Sequence, residues 1–242
     1  MKVEKSLFYQ RDLIKAQWNK IKFIFEKQKK KGRATLNPLN VFKAILWILR
    51  AGVIYQIISV IGTVCAVGLN KVFLKKFYKL SIKVAKIDST FCKVHQSACS
   101  KLKNQAIGIS RGGKTTKIHA LVNENFQLLN ITLIAGNIND SECAIELLQA
   151  VQIEGKKVHA DRAYSSSKLC DYIEKNGAKV CIPDKINFKI PHKFDSELYK
   201  QRNIIERFFQ RIKNYRHIAF RFDKLSVCFL NFVLLAASVI HF

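Results

Sequence analysis

Acidic residues are scarce in this sequence. Only 17 of the 242 residues are Asp or Glu, whereas 42 are Lys or Arg, so the formal net charge is +25 at pH 7. An excess of this size indicates a polyanionic partner, most simply nucleic acid, or an anionic membrane surface. Because hydrophobic residues make up 49% of the chain, a disordered basic tail is excluded and a packed core is expected.

Paired cysteines are also missing. The seven Cys residues are scattered without a C-x-x-C pair, which argues against a disulfide framework and fits a reducing cytosol. Cys92, His95 and Cys99 have part of the spacing of a zinc site, but a fourth ligand with suitable spacing is lacking. We therefore expect these three to be ordinary buried or neutral side chains.

Two long uncharged runs lie at residues 51–70 and 225–242, and each approaches the roughly 20 residues that a membrane span requires. No cleavable signal peptide is visible in the charged first 20 residues. The second run contains Asn231 and His241 and follows a basic amphipathic helix, so we predict a buried closing helix there. The first run leaves a membrane protein open as an alternative.

The chain divides near residue 80. Residues 1–80 are predicted to form a small helical module that binds DNA, with an atypical stretch at 53–70, and residues 81–242 an α/β domain. Periodicity and turn signals predict its elements. The segment 81–90 is predicted to contain a strand that ends at Asp88, and residues 115–136 a hairpin. The further elements are a helix after Asn139 or Asp140, a strand at 156–164, a helix closed by Gly177, a strand at 178–183 and a helix at 197–215.

This order of elements, β-β-β-α-β-α-β-α, is typical of the ribonuclease-H-like fold. We therefore predict an α/β protein whose catalytic domain has a ribonuclease-H-like mixed sheet. The first and fourth strands of that fold lie side by side. Asp88 and Asp161, at the ends of those strands, are then expected to meet.

The helix at 197–215 has a polar stripe beside an apolar one. Tyr199, Arg202, Glu206 and Lys213 fall within about 60° of one another at 100° per residue. A carboxylate held between two cations at the edge of a core suits metal binding near a phosphate. An ordinary amphipathic surface helix, with Glu206 paired to Arg202, would show the same spacing.

The motifs together resemble the DDE transposases of bacterial insertion sequences, in the branch of insertion sequence five and its relative, insertion sequence four. The resemblance covers nearly all of residues 85–242, and residues 17–52 are similar to the family's helical N-terminal region. The motifs that carry it are KIDST, GISRGGKTTKIHALV, NDSECA, HADRAY, VCIP and the spacing Y-x-x-R-x-x-x-E-x-x-x-x-x-x-K.

The resemblance implies a transposase that cleaves DNA strands as an endonuclease and transfers them. Asp88, Asp161 and Glu206 would hold two Mg2+ ions, for which Mn2+ can substitute. It implies double-stranded DNA partners (terminal inverted repeats and target), a homodimer in the DNA complex, no membrane, and a bacterial cytoplasmic, nucleoid-associated location. The expected DNA contacts are Tyr199, Arg202, Lys213, Arg111, Lys114, Lys117 and Arg162.

Two further alternatives remain open besides the membrane protein. Residues 108–115, GISRGGKT, satisfy the phosphate-loop pattern of nucleotide hydrolases, although that loop requires a buried strand before it and a helix after it. Residues 53–70 depart from the family pattern, with no acid, base or proline. A degenerate, inactive copy that binds DNA only non-specifically is therefore the second alternative.

Overall fold

The computed structural model describes residues 18, 19, 22, 37–51, 82–99, 102–183 and 203–240. The atypical stretch at 53–70 lies outside the described residues, as do Tyr199 and Arg202. The helices are α1 Pro38–Ala51, α2 Ser141–Gln149, α3 Ser167–Lys175, α4 Asn203–Lys213, α5 Arg216–Ala219 and α6 Ser226–Ile240. The strands are β1 Val84–Val94, β2 Gly108–Ser110, β3 Gly113–Asn123, β4 Leu128–Ala135, β5 Lys157–His159, β6 Lys179–Cys181 and β7 Phe220–Arg221.

The seven described strands form one mixed sheet. Its central order is β3-β1-β5-β6, with β2 and β4 paired to β3, and β7 paired to β1. The β1–β3 and β3–β4 pairs are antiparallel, whereas β5 is parallel to β1 and β6 is parallel to β5. This mixed sheet with its α/β connections is ribonuclease-H-like and confirms the predicted fold class.

β1 has two unlike edges. Along one edge, nine consecutive residues pair with β3, from Ala85 opposite Asn123 to Lys93 opposite Thr115. Along the other edge, β5 pairs with residues 84–86 and β7 pairs with residues 93 and 94. Within the part of the chain that the structure describes, residues 87–92 have no strand partner on that second edge. We call this stretch the open edge of β1, and it contains Asp88.

Helices cover both faces of the sheet. One face, here the α4 face, packs against α1, α4 and α6 and shares a core with Phe42, Ala120, Phe208 and Phe232. The other, here the α2–α3 face, packs against α2 and α3 through residues such as Leu121. Helix α1, which the sequence assigns to the N-terminal module, thus shares a core with the sheet. The domain boundary near residue 80 stays a prediction.

The observed elements differ from the predicted ones mainly in where strands end. β1 does not end at Asp88 but continues to Val94, because its ladder with β3 continues through Lys93. The strand predicted at 156–164 is shorter, since the chain leaves the sheet after His159 and forms a 3-10 turn at Arg162–Tyr164. Asp140 is the N-cap residue of α2 but makes no capping hydrogen bond with its side chain, whereas the side-chain oxygen of Asn139 accepts the Ser141 amide at 3.2 Å.

The C-terminal apolar run forms α6, in which residues 231–239 are all buried. Its two polar side chains in that stretch, Asn231 and Ser238, are buried with it, and the Ser238 hydroxyl donates to the Leu234 carbonyl at 2.7 Å. The prediction of a buried closing helix is confirmed. Among the helices of the described ranges, none is long and apolar enough to cross a membrane.

Candidate active site

Asp88 and Asp161 take corresponding positions on β1 and just beyond β5, where the ladder between the two strands has ended. The last parallel pair between β1 and β5 is Lys86 opposite His159, and each aspartate follows two residues later. Asp161 keeps an extended backbone (φ −75°, ψ 164°), so the alternation of side chains continues through it. Both carboxylates therefore lie on the α4 face, at the carboxyl ends of two parallel strands, where α/β sheets commonly bind ligands.

Each aspartate is oriented by the amide of the residue after it. Asp88 Oδ1 accepts the Ser89 amide at 2.8 Å, and Asp161 Oδ1 accepts the Arg162 amide at 2.6 Å. Asp161 also caps the 3-10 turn that follows, because its carbonyl accepts the Tyr164 amide at 2.9 Å. Both side chains are half-buried, so their orientation is fixed while their oxygens remain near solvent.

Glu206 reaches the same face from α4. Ile205, Phe208, Phe209 and Ile212 bury one side of this helix, as the apolar stripe predicted, and α4 packs against β1. Glu206 is half-buried at the border of that buried side. The sequence thus places the third carboxylate on the helix that covers the two aspartates.

Lys213 lies two helical turns beyond Glu206 and is half-buried. Burial lowers the pKa of Lys213, and the nearby Cys92 thiol acts in the opposite direction. A phosphate group beside this ammonium would favour its charged form. Lys213 is the one member of the predicted cationic pair that the structure describes, since Arg202 lies outside the described residues.

The donor set suits a hard divalent cation, because carboxylate oxygens are the ligands that Mg2+ and Mn2+ prefer. Within the described ranges, however, no three His, Cys, Asp or Glu side chains lie close enough together to hold one metal ion. The structure therefore places Asp88 and Asp161 at corresponding positions after the β1–β5 ladder and Glu206 on a helix that packs against β1. It does not gather all three at one point, and the shared metal site stays a prediction.

The basic residues predicted to contact DNA differ in accessibility. Arg111 and Lys114 are exposed at the β2–β3 hairpin, and Arg162 is exposed beside Asp161. Lys117, by contrast, is only 6% exposed. Its ammonium donates to the Ile138 carbonyl at 2.6 Å and to Asp140 at 2.8 Å. A lysine held internally in this way does not reach a phosphate, so Lys117 is a structural residue rather than a DNA contact.

Residues 80–240 match the family model described as the transposase DDE domain. The chain belongs to the DDE transposase family. It is 36% identical over 129 residues to a putative transposase for insertion sequence element IS6501 from Brucella ovis, an alignment that covers 52% of this chain and 97% of that protein. Members of this family are enzymes that cut and join DNA with divalent metal ions.

Solved structures of transposases are also similar to this chain, more distantly. The piggyBac transposase synaptic complex with hairpin DNA has 13% identity and a TM-score of 0.37, covering 74% of this chain and 50% of that one. The pre-cleavage Mos1 transpososome has 13% identity and a TM-score of 0.32, covering 92% and 67%. The chain thus spans half of the piggyBac chain and two thirds of the Mos1 chain.

The glycine-containing segment of this transposase is a hairpin, not a phosphate loop. Residues 108–110 form β2, residues 111 and 112 form the turn, and β3 begins at Gly113. A phosphate loop leads from a strand into a helix, whereas here an antiparallel strand follows. The nucleotide hydrolase alternative is therefore wrong for this segment.

The residues with zinc-like spacing take other roles in the transposase. Cys92 is fully buried on the α4 face, and burial raises the pKa of its thiol to about 12. His95 Nδ1 accepts the Ser97 amide at 3.1 Å, which caps a 3-10 turn at Gln96–Ala98. Lys114 Nζ donates to the Cys99 sulfur at 3.3 Å.

Sequence reasoning missed a polar group on the α2–α3 face, directly behind Asp88. Ser89, His119 and Tyr164 lie there together, and the His119 Nδ1 to Tyr164 hydroxyl distance is 2.8 Å. One signal was present in the sequence, since His119 interrupts the apolar run of β3. The identity of its partner was not readable, because Tyr164 is 45 residues away in the chain.

Proposed function

We propose that this transposase binds the ends of an insertion sequence and cleaves and transfers DNA strands at Asp88, Asp161 and Glu206. The observation that carries the proposal is the register of β1 and β5. This register supports two carboxylates facing one crevice, beneath a helix that carries the third. A metal-dependent phosphodiester reaction needs this combination of hard ligands on a rigid sheet.

Asp88 and Asp161 would hold Mg2+, with Glu206 completing the ligand set when DNA is bound. The ion would supply positive charge to the phosphate oxygens as negative charge accumulates on them. The amides of Ser89 and Arg162 keep the two aspartates oriented, so little rearrangement of these side chains is needed. Lys213, beside this face, would hold a neighbouring phosphate.

Double-stranded DNA fits the charge of the chain, which is +25. Arg111 and Lys114 at the hairpin and Arg162 beside Asp161 are the exposed contacts that we propose within the described residues. Arg202 and Tyr199 join them from the family motif. Terminal inverted repeats and target DNA would be the substrates, bound by a homodimer.

Cleavage of the element's own terminal repeats with Mg2+ tests this function. Asp161→Asn should lower the cleavage rate by about 10²- to 10³-fold or more, because it removes a charged metal ligand. DNA binding should be unchanged or slightly tighter, since one negative charge is lost. Asp171→Asn, at an exposed aspartate on α3, is the matched control and should cleave normally. Full cleavage by Asp161→Asn would refute the assignment.

A further inference from the structure

The side of α1 that faces the rest of the protein is apolar and buried. Phe42, Ile45 and Leu49 are 0% exposed, and they belong to the core that α1 shares with α4 and α6. The helix also packs against α5, which begins three residues after Lys213. α1 is therefore held in the body of the transposase by its buried side, close to the helices that follow the proposed site.

The opposite side of α1 has a different composition. After Pro38, its exposed residues fall within about 80° of one another at 100° per residue, and they are Asn40, Lys43, Trp47 and Arg50. We call these four the outer face of α1. Trp47 is 57% exposed, with Lys43 one turn before it and Arg50 one turn after it. An exposed indole between two cations thus lies on a helix whose other side is buried.

The charge of the outer face has one sign. No Asp or Glu occurs in the sequence between Glu26 and Asp88. Within the described ranges, neither Lys43 nor Arg50 forms a salt bridge with a carboxylate. Exposed positive charge without acidic neighbours favours a polyanionic partner. The indole of Trp47 adds an apolar ring and an N–H donor, which suit contact with deoxyribose and phosphate.

Double-stranded DNA matches the length of the outer face. Lys43 and Arg50 are separated by about 10 Å along the helix axis, at 1.5 Å per residue. The phosphates of one DNA strand follow one another at about 3.4 Å along the duplex axis, so the two cations can reach phosphates about three steps apart. Contacts of this kind do not read bases, so they should hold duplexes of any sequence and weaken as salt rises.

We propose that the outer face of α1 is a docking surface for the sugar–phosphate backbone of double-stranded DNA, fixed relative to the catalytic sheet. The inference rests on the proposed function, because it takes DNA as the partner. It deepens that function by assigning a surface that contains none of the three carboxylates. Since α1 and α4 share one packed core, DNA on the outer face is held at a set position relative to the helix that carries Glu206.

Paired charge removals on two helices test the docking surface. Lys43→Ala with Arg50→Ala removes both cations of the outer face. Lys168→Ala with Lys175→Ala removes two exposed lysines at the same spacing on α3, across the sheet. The first double variant should bind a scrambled duplex several-fold more weakly at physiological salt, with the slope of log affinity against log salt reduced by about two. The second double variant should match the wild type.

The fluorescence of Trp47 reports directly whether the outer face is occupied. The chain has two tryptophans, so Trp18→Phe in the full chain leaves Trp47 as the source of indole fluorescence. The rings of Trp18 and Phe42 have centroids 5.6 Å apart, and a phenylalanine keeps an aromatic ring at this contact. Acrylamide should quench Trp47 strongly in the free protein and several-fold less once duplex DNA is added. This measurement changes nothing on the outer face, so it stands even where the double variant fails to fold.

The inference is overturned by a wild-type salt slope in the variant with Lys43→Ala and Arg50→Ala, or by Trp47 quenching that duplex DNA does not change. Quenching of Trp47 that falls as the concentration of the protein alone rises would also overturn it, because a second copy of the chain would then cover the outer face. Protection of Trp47 by phosphatidylglycerol vesicles but not by duplex DNA would assign the face to a membrane surface instead.

Failure of this inference can be distinguished from failure of the proposed function. Wild-type protein that cleaves its terminal repeats with Mg2+, while DNA leaves the quenching of Trp47 unchanged, would overturn the docking surface alone. Wild-type protein that protects Trp47 on scrambled duplex but does not cleave terminal repeats would contradict the assignment of the three carboxylates and support the docking surface.

Discussion

The two edges of β1 differ in how they are held. On the β3 side, nine consecutive pairs form an unbroken ladder. On the other side, pairing stops at Lys86 and resumes only at Lys93. The first edge joins the strand to β3, and the second has no strand partner at Asp88 within the described residues.

The difference shows how a rigid element can present reactive groups. A closed ladder fixes the backbone of Asp88, so the position of its carboxylate costs little further ordering. An interrupted ladder leaves space beside it for a ligand and for a covering helix. The same strand is thus held continuously along one edge and left open along the edge of the proposed site, and substitutions on the two sides should have different effects.

The largest expected change in the free energy of unfolding is for a substitution on β3, the strand that pairs with the unbroken edge of β1. Leu121→Ala removes a fully buried side chain of β3 from the α2–α3 face core and should lower the free energy of unfolding by about 2–5 kcal/mol. The loss in the free energy of unfolding is measured by urea unfolding. Thr90→Ala, a half-buried position on the open edge, should cost less than about 1 kcal/mol. Similar losses for both variants would mean that the edges are not held differently.

Two lysines on β3, three residues apart, give the second comparison. Lys117→Ala should lower the free energy of unfolding by about 1–3 kcal/mol, because it leaves the Asp140 carboxylate without its ammonium partner. Lys114→Ala should instead weaken DNA binding several-fold and reduce the slope of log affinity against log salt by about one. Urea unfolding and binding titrations across salt concentrations separate these roles. A Lys117→Ala variant with the larger loss of salt dependence would restore Lys117 as a DNA contact.

The smallest expected effect is on the pH dependence of the free energy of unfolding. His119 has a folded-state pKa of about 4, below the roughly 6.5 expected for the unfolded chain. Between these two pKa values the unfolded state therefore binds more protons than the folded state. The contribution of His119 to the free energy of unfolding is present above pH 6.5 and is lost as the pH falls toward 4. It amounts to about 2 kcal/mol between pH 7 and pH 5. His119→Gln should show a shallower pH dependence in urea unfolding than the wild type, and equal slopes would contradict a buried neutral ring.

Much of this arrangement was readable from local patterns. The buried side of α4 and the β3–β4 hairpin follow from periodicity and turn signals, and the pairing of the first and fourth predicted strands follows from the fold that the order of elements indicates. The structure confirms all three. The extent of β1 was not readable, because its continuation past Asp88 depends on pairing with β3 rather than on its own residues. Lys117 was misjudged and Tyr164 was missed for a related reason, since their partners Asp140 and His119 come from distant parts of the chain.

The central proposal is that Asp88, Asp161 and Glu206 share one divalent metal site at the open edge of β1 when DNA is bound. Fe2+-directed hydroxyl-radical cleavage of the polypeptide, in the presence of terminal-repeat DNA, tests it most directly because the radicals cut only beside the bound ion. We predict backbone cuts next to all three residues, suppressed together by the same concentration of Mg2+ and lost together in Asp161→Asn. Cuts beside only one of the three, or cuts that persist in Asp161→Asn, would contradict a shared site.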